Sequence, residues 1–189
     1  MATVYSSHKT GEVKVVAFGQ TLLEDHTPSA IGNHLVILTR NEDQIVRDVT
    51  KLVKATRWTG FSNYDVKYDS RNQTYKFFEL NARLGRSNYY MTAAGKNAAA
   101  YYVKDFIEHS FIDYSVADKE ILYSAVPKKL LLDNLHSKEL KKIVQQLYKA
   151  REVYHPLDSK DEPSMKRKLY VKIATLNYFK KFKAYPQPH

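Results

Sequence analysis

The segment NYDVKYDSRNQTYKFFELNARLG, residues 63–85, decides how this chain is read. Tyr64, Val66 and Tyr68 alternate with Asp65, Lys67 and Asp69, which is the period of a strand with two unlike faces. Ser70 to Gln73 form a polar turn, and a second strand is expected from Thr74 to Leu80, so the segment predicts a β-hairpin. Asp65 and Glu79 are equidistant from Asn72, which sets them opposite one another; side chains so opposed have Cβ atoms ~4.5–5.5 Å apart. Strict alternation along the second strand also puts Phe77 on the face of Glu79.

Two carboxylates held that close repel each other unless a cation lies between them. Asn81, leaving the same face two residues on, adds a neutral oxygen, and two carboxylates with one amide oxygen suit magnesium, with manganese as the other fit. Arg83 follows at the next even offset, where a guanidinium can neutralise a transferring phosphoryl group or an acyl phosphate. Gly85 leaves its backbone N–H open to an oxyanion, and Arg86 adds a second positive charge. The plainer alternative is a solvated sheet face on which Arg83 and Arg86 merely neutralise Asp65 and Glu79. Residue pattern alone leaves both open.

Outward from the hairpin, residues 3–40 read as strands joined by turns, with apolar runs at Val13–Leu23 and Leu35–Leu38. Asn41 is the expected N-cap of a helix to about Thr56, with Ile45, Val49, Leu52 and Val53 on one face. After the hairpin a loop over 81–90 leads to a helix from about Asn97 to His109. Pro127 starts a helix to Leu135, Ser137 caps another to about Arg151, and Pro163–Ala184 reads as one long helix. Met165, Leu169, Ile173, Leu176 and Phe179 form a stripe along that last helix. The predicted class is α+β: an antiparallel sheet flanked by helices over 1–110, then a helical extension over 111–189 ending in the basic helix.

Composition narrows the chemistry. There are 189 residues and no cysteine, which excludes disulfides, thiolate zinc sites and a cysteine nucleophile. The N-terminal residues lack the pattern of a signal peptide, and no apolar run approaches the ~20 residues of a membrane helix. The expected location is the cytoplasm. The net charge is +10, yet seven of the basic residues lie between Pro163 and His189, a stretch without a single acid. Charge is therefore a property of one segment rather than of the whole molecule.

The stretch from Phe61 to Gly95, with an acid on one strand and Glu79-Leu80-Asn81-Ala82-Arg83 on the next, resembles the final motif of ATP-grasp enzymes. In particular it is similar to carboxylate–amine ligases of the D-aspartate ligase type, which join an amino acid to a peptidoglycan precursor. The segments around His26–His34 and Arg167–Tyr170 extend the likeness over most of the chain. The resemblance implies the C-terminal subdomain of an ATP-grasp fold, with ATP and Mg²⁺ as cofactors and a carboxylate and an amine as substrates. By position it implies Asp65, Glu79 and Asn81 as metal ligands, Arg83 and Gly85 as catalytic, and Phe78 as one wall of the adenine pocket. Lys67 stands where the family has another apolar wall. His26 and His34 would face the cleft as substrate contacts, or serve as loop histidines without a role. The family's upstream subdomain, with its glycine-rich loop, phosphate lysines and adenine hinge, is expected outside this chain, in a missing N-terminal half or a partner chain.

The basic helix has three readings. In the first its apolar side covers the core and its lysines are solvated; in the second it contacts a membrane or a lipid-linked precursor peripherally; in the third it binds nucleic acid, against which stands the absence of any specific recognition motif. The rival to a ligase is accordingly a truncated, non-catalytic binding module acting through this helix.

Overall fold

The computed structural model describes residues 1–159 and 161–187. In chain order the elements are β1 (Ala2–Ser6), β2 (Val13–Asp25), β3 (Asn33–Thr39), α1 (Asp43–Thr56), β4 (Gly60–Asp69), β5 (Thr74–Asn81), α2 (Tyr89–Ala93) and α3 (Ala98–Tyr102). A π-helical turn at Val103–Ile107 follows, then β6 (Ser115–Ala117), β7 (Leu122–Ser124), α4 (Lys128–Asn134), α5 (Lys138–Ala150), β8 (Val153–Tyr154), α6 (Met165–Leu176) and α7 (Tyr178–Ala184). The fold is α+β, and its strands form mixed rather than purely antiparallel sheet, because β6 runs parallel to β2 and β8 parallel to β7. These elements gather into two compact units, Met1–Gln20 with Thr39–Glu120, and Thr21–Leu38 with Ile121–His189.

In the first unit the strands lie in the order β5-β4-β1-β2, with β6 added at β2. β1 is antiparallel to both neighbours, pairing Thr3 with Ala17 on one side and with Asn63 on the other. One face of these strands carries Ala2, Val4, Val16, Phe18 and Tyr64 and packs against Ile45, Val49 and Val53 of α1. The helix forms here because its apolar residues recur at helical spacing; Asp43 in the first turn and Lys54 in the last complement its dipole. Its N-cap is Glu42, one residue later than expected, and Leu52 at the margin of the stripe remains exposed. Arg57, in the left-handed region at φ 51°, ends it.

The hairpin pairs Asp65 with Glu79, as the symmetry about Asn72 predicts. The alternation along β5 does not hold, however. The register slips between Asp65 and Val66, so that Phe77 faces Val66 and Phe78 is the extra residue of a bulge. Phe77 therefore joins the apolar face, edge-on to Tyr64 at 6.1 Å, and does not share the face of Glu79.

The second unit holds the distal part of β2, then β3, β7 and β8, with α4–α7. The region 111–189, expected to be a helical extension, thus contributes three short strands, β6, β7 and β8. β3 pairs antiparallel with β7, Ile37 opposite Tyr123. Its core gathers Leu23, Leu35, Val36, Leu122, Leu131, Val144 and Leu147 with Phe182 of α7. Ser137 caps α5 by accepting the N–H of Leu140 at 3.2 Å, as its position predicts. The long C-terminal helix is in fact two, broken at Asn177. No residue of α6 is buried, so its apolar stripe does not cover the core.

Candidate metal and phosphate site

The face of β1, β2 and β4 opposite α1 sets buried polar groups, Thr3 and Asn63, beside Val15, Ala17 and Phe61. Thr3 sits at its centre and is fully buried. Its hydroxyl donates to Asn63 Oδ1 at 2.8 Å and accepts from Asn88 Nδ2 at 3.0 Å. The Tyr90 hydroxyl lies 2.9 Å from the same oxygen and 3.1 Å from the carbonyl of Ala17. The loop leaving β5 and the start of α2 bring Asn88 and Tyr90 over the sheet, and the network ties that loop to the strands. Asn88 Oδ1 is buried and has no hydrogen-bond partner among the described residues. It points at Gly85, where a Cβ would stand 2.7 Å from it and 3.4 Å from the Asn63 amide. Glycine is required here by close approach, in addition to the open N–H expected of it.

Asp65 lies two residues beyond Asn63 on this face, half-buried, and its partner Glu79 is exposed. Burial raises the pKa of the Tyr90 phenol above its usual value; the bond with Thr3 opposes this and the charge of Asp65 adds to it. Asp65 is therefore a charged neighbour of the buried network. Asn81 pairs across from Asn63, and its Nδ2 donates to Glu79 Oε1 at 2.9 Å. The three side chains form one set of hard oxygen donors, buried on the Asp65 side and open on the Glu79 side. Two carboxylates, one amide oxygen and open positions for water or phosphate fit magnesium. Among the described residues no group of three or more His, Cys, Asp or Glu side chains is placed to hold a metal ion, so a cation here would rest on two carboxylates and one amide oxygen.

Arg83 is exposed and donates through its guanidinium to the carbonyl of Leu84 at 3.0 Å; Arg86 is exposed as well. Phe78, the bulged residue, is 67% exposed, an apolar ring without a packing partner in the apolar core. Lys67 lies on the face of Asp65, opposite Lys76. His26 and His34 belong to the second unit, where His34 Nδ1 lies 3.0 Å from Thr21 Oγ1. The first unit thus brings together Asp65, Glu79 and Asn81 on the hairpin, and the loop that follows carries Arg83, Gly85 and Arg86. The pattern reading missed Thr3, Asn63, Asn88 and Tyr90. Asn63 alone carried a signal, since a period of two from Asp65 places it on the same face.

At the far end of the same face, Asp105 in the π-helical turn is 3% exposed. It accepts from the Tyr5 hydroxyl at 2.6 Å and the His8 backbone N–H at 2.8 Å, and His8 Nδ1 lies 2.9 Å from its other oxygen. Burial opposes its charge, but the Tyr5 hydroxyl and the His8 contacts outweigh it and hold the carboxyl below its ordinary pKa. His8 stacks on Phe106 with ring centroids 4.1 Å apart. This cluster fastens the β1–β2 turn to the π turn.

No family model matches the chain. It is 34% identical over 180 residues to a D-aspartate ligase of Enterococcus faecium (strain Aus0004). The alignment takes in 92% of this chain and 42% of that protein, so the chain spans under half the length of the curated relative it matches. Over nearly all of its length, this is a D-aspartate-ligase-like sequence.

Proposed function

We propose that this chain is part of an ATP-dependent carboxylate–amine ligase of ATP-grasp type, and that its hairpin is the metal and phosphate end of the ATP cleft. The observation that carries the reading is the cross-strand pairing of Asp65 with Glu79, with Asn81 bonded to Glu79, in a chain similar to a D-aspartate ligase. Asp65, Glu79 and Asn81 would hold Mg²⁺, which would supply positive charge against the transferring phosphoryl group.

The protein's own groups act around that centre. A substrate carboxylate oxygen attacks the γ-phosphorus of ATP, the bond to the bridging oxygen breaks, and ADP leaves with its electron pair. The amine nitrogen then attacks the carbonyl carbon of the acyl phosphate, an amide forms, and inorganic phosphate departs while the nitrogen loses a proton. Arg83 places positive charge where the phosphoryl group and then the acyl phosphate carry theirs. The Gly85 N–H is offered to the carbonyl oxygen, and the Thr3–Asn63–Asn88–Tyr90 network fixes the loop that carries both. Phe78 supplies an apolar surface for the adenine ring, and Arg86 a second charge for the phosphates. His26 and His34 are assigned to the substrate side. We take the substrates to be an amino acid, D-aspartate by analogy with the relative, and a peptidoglycan precursor carrying the amine. The glycine-rich loop and adenine hinge are assigned to polypeptide beyond this chain or to a partner.

The test is ATP-dependent amide formation by the full-length gene product, with D-aspartate as the carboxylate substrate. The Asp65→Ala/Glu79→Ala variant is expected to lose it; amide formation unchanged in that variant overturns the site.

A further inference from the structure

We infer that α6 is a membrane-surface helix that docks on an anionic lipid bilayer. α6 leaves its apolar residues unburied. Met165, Leu169, Ile173 and Leu176 are 75%, 58%, 52% and 57% exposed. At about 100° per residue they fall within a single stripe of roughly 80°. The helix is held to its unit from the other side: Val171, Ala174 and Thr175 are half-buried, and Thr175 Oγ1 lies 3.1 Å from His155 Nε2. Arg167 is exposed and pairs with Glu162, just before the helix, at 2.8 Å. The stripe therefore faces outward because the opposite side is the attached one. Met165, Leu169 and Leu176 of the stripe line an open groove of about 1060 Å³ with Pro127, Leu157 and Val171; the acids Asp158 and Glu162 also line it, Glu162 paired with Arg167.

Charge identifies the occupant. On the helical projection Lys166 borders one edge of the stripe, while Lys172 and Lys168 border the other, and the sequence from Pro163 onward contains no acid. A second copy of this chain laid against the stripe would bring like charges together. A nucleic acid would satisfy the lysines and leave four large apolar side chains in water. An anionic bilayer satisfies both at once: the stripe enters the headgroup–acyl boundary while the flanking lysines reach up to the phosphates. α7 continues the cationic surface with Lys180 and Lys183, and it anchors the assembly through Phe182 in the core and Lys181 on Asp25 at 3.1 Å. Among the described residues no helix is long and apolar enough to cross a membrane, so the contact is one of surface and not of span.

The experiment is co-sedimentation of the full chain with phosphatidylcholine vesicles prepared with and without phosphatidylglycerol. Binding is expected only with phosphatidylglycerol, and it should weaken as salt is raised. Leu169→Glu with Ile173→Glu should lower the partition coefficient by at least ~10-fold. Replacing Lys166, Lys168 and Lys172 by Gln should cost roughly fivefold for each lysine. All five side chains lie outside the core, so far-ultraviolet circular dichroism and the melting temperature of both variants should match the parent. No binding to phosphatidylglycerol vesicles overturns the proposal. So does binding that the two glutamates leave unchanged, since that marks a purely electrostatic surface of the nucleic-acid kind. An oligomer in sedimentation velocity that the glutamates dissolve overturns it as well, by giving the stripe to a second copy or another protein face.

Discussion

The two faces of β1, β2 and β4 are made by alternate residues of the same strands and differ in almost everything else. One carries Ala2, Val4, Val16 and Tyr64 against α1 and is held by apolar burial, which tolerates small changes of shape. The other adds to Val15, Ala17 and Phe61 a set of buried hydrogen bonds that join Thr3, Tyr5 and Asn63 to Asn88, Tyr90 and Asp105. The first face positions a helix; the second positions a loop. Only the second ties down the loop that leaves β5, through the bonds of Asn88 and Tyr90 to Thr3.

That contrast can be broken at its centre. Thr3→Val keeps the shape but leaves Asn63 Oδ1 and Asn88 Nδ2 without their partner and removes one from Tyr90. It should destabilise the protein by about 3 kcal/mol in urea unfolding. Asp105→Asn should cost about 2 kcal/mol near neutral pH, since bonds to a charged group are lost. Its pH dependence sharpens the point. The folded Asp105 pKa is depressed, so its contribution is full above the unfolded value of about 4 and is lost as pH falls through the folded value. Melting temperatures of parent and variant should accordingly converge in acid; a constant gap down to low pH would contradict this.

On the apolar face, Ile45→Val should cost only about 1 kcal/mol by the same unfolding measurement. The smallest effect belongs to the site itself. Glu79→Gln removes one of two facing carboxylates from an exposed position, so its melting temperature should equal or slightly exceed that of the parent.

How much of this was legible before the structure follows from the range of each interaction. The Asp65–Glu79 pairing was legible because a short loop fixes the register of a hairpin, and Ser137 was legible as a cap because a cap is local. The bulge at Phe78 was not, because no glycine or turn residue marks it. The polar network was hidden by distance, with Thr3 bonding residues 60 and 85 positions away. The parallel pairings were missed because β6 and β8 have only three and two residues, too few to show alternation. Periodicity did reveal the stripe on α6, but periodicity says only that a face is apolar and never what covers it.

The central claim is that Asp65, Glu79 and Asn81 form a divalent-cation site that works with a nucleotide. Electron paramagnetic resonance titration of Mn²⁺ into the full-length gene product with ADP present tests it most directly. The parent protein should bind the ion, and Asp65→Asn with Glu79→Gln should weaken that binding by ~10-fold or more while the fold is retained. Equal affinity in parent and variant, or no bound Mn²⁺ in the parent, would contradict the account.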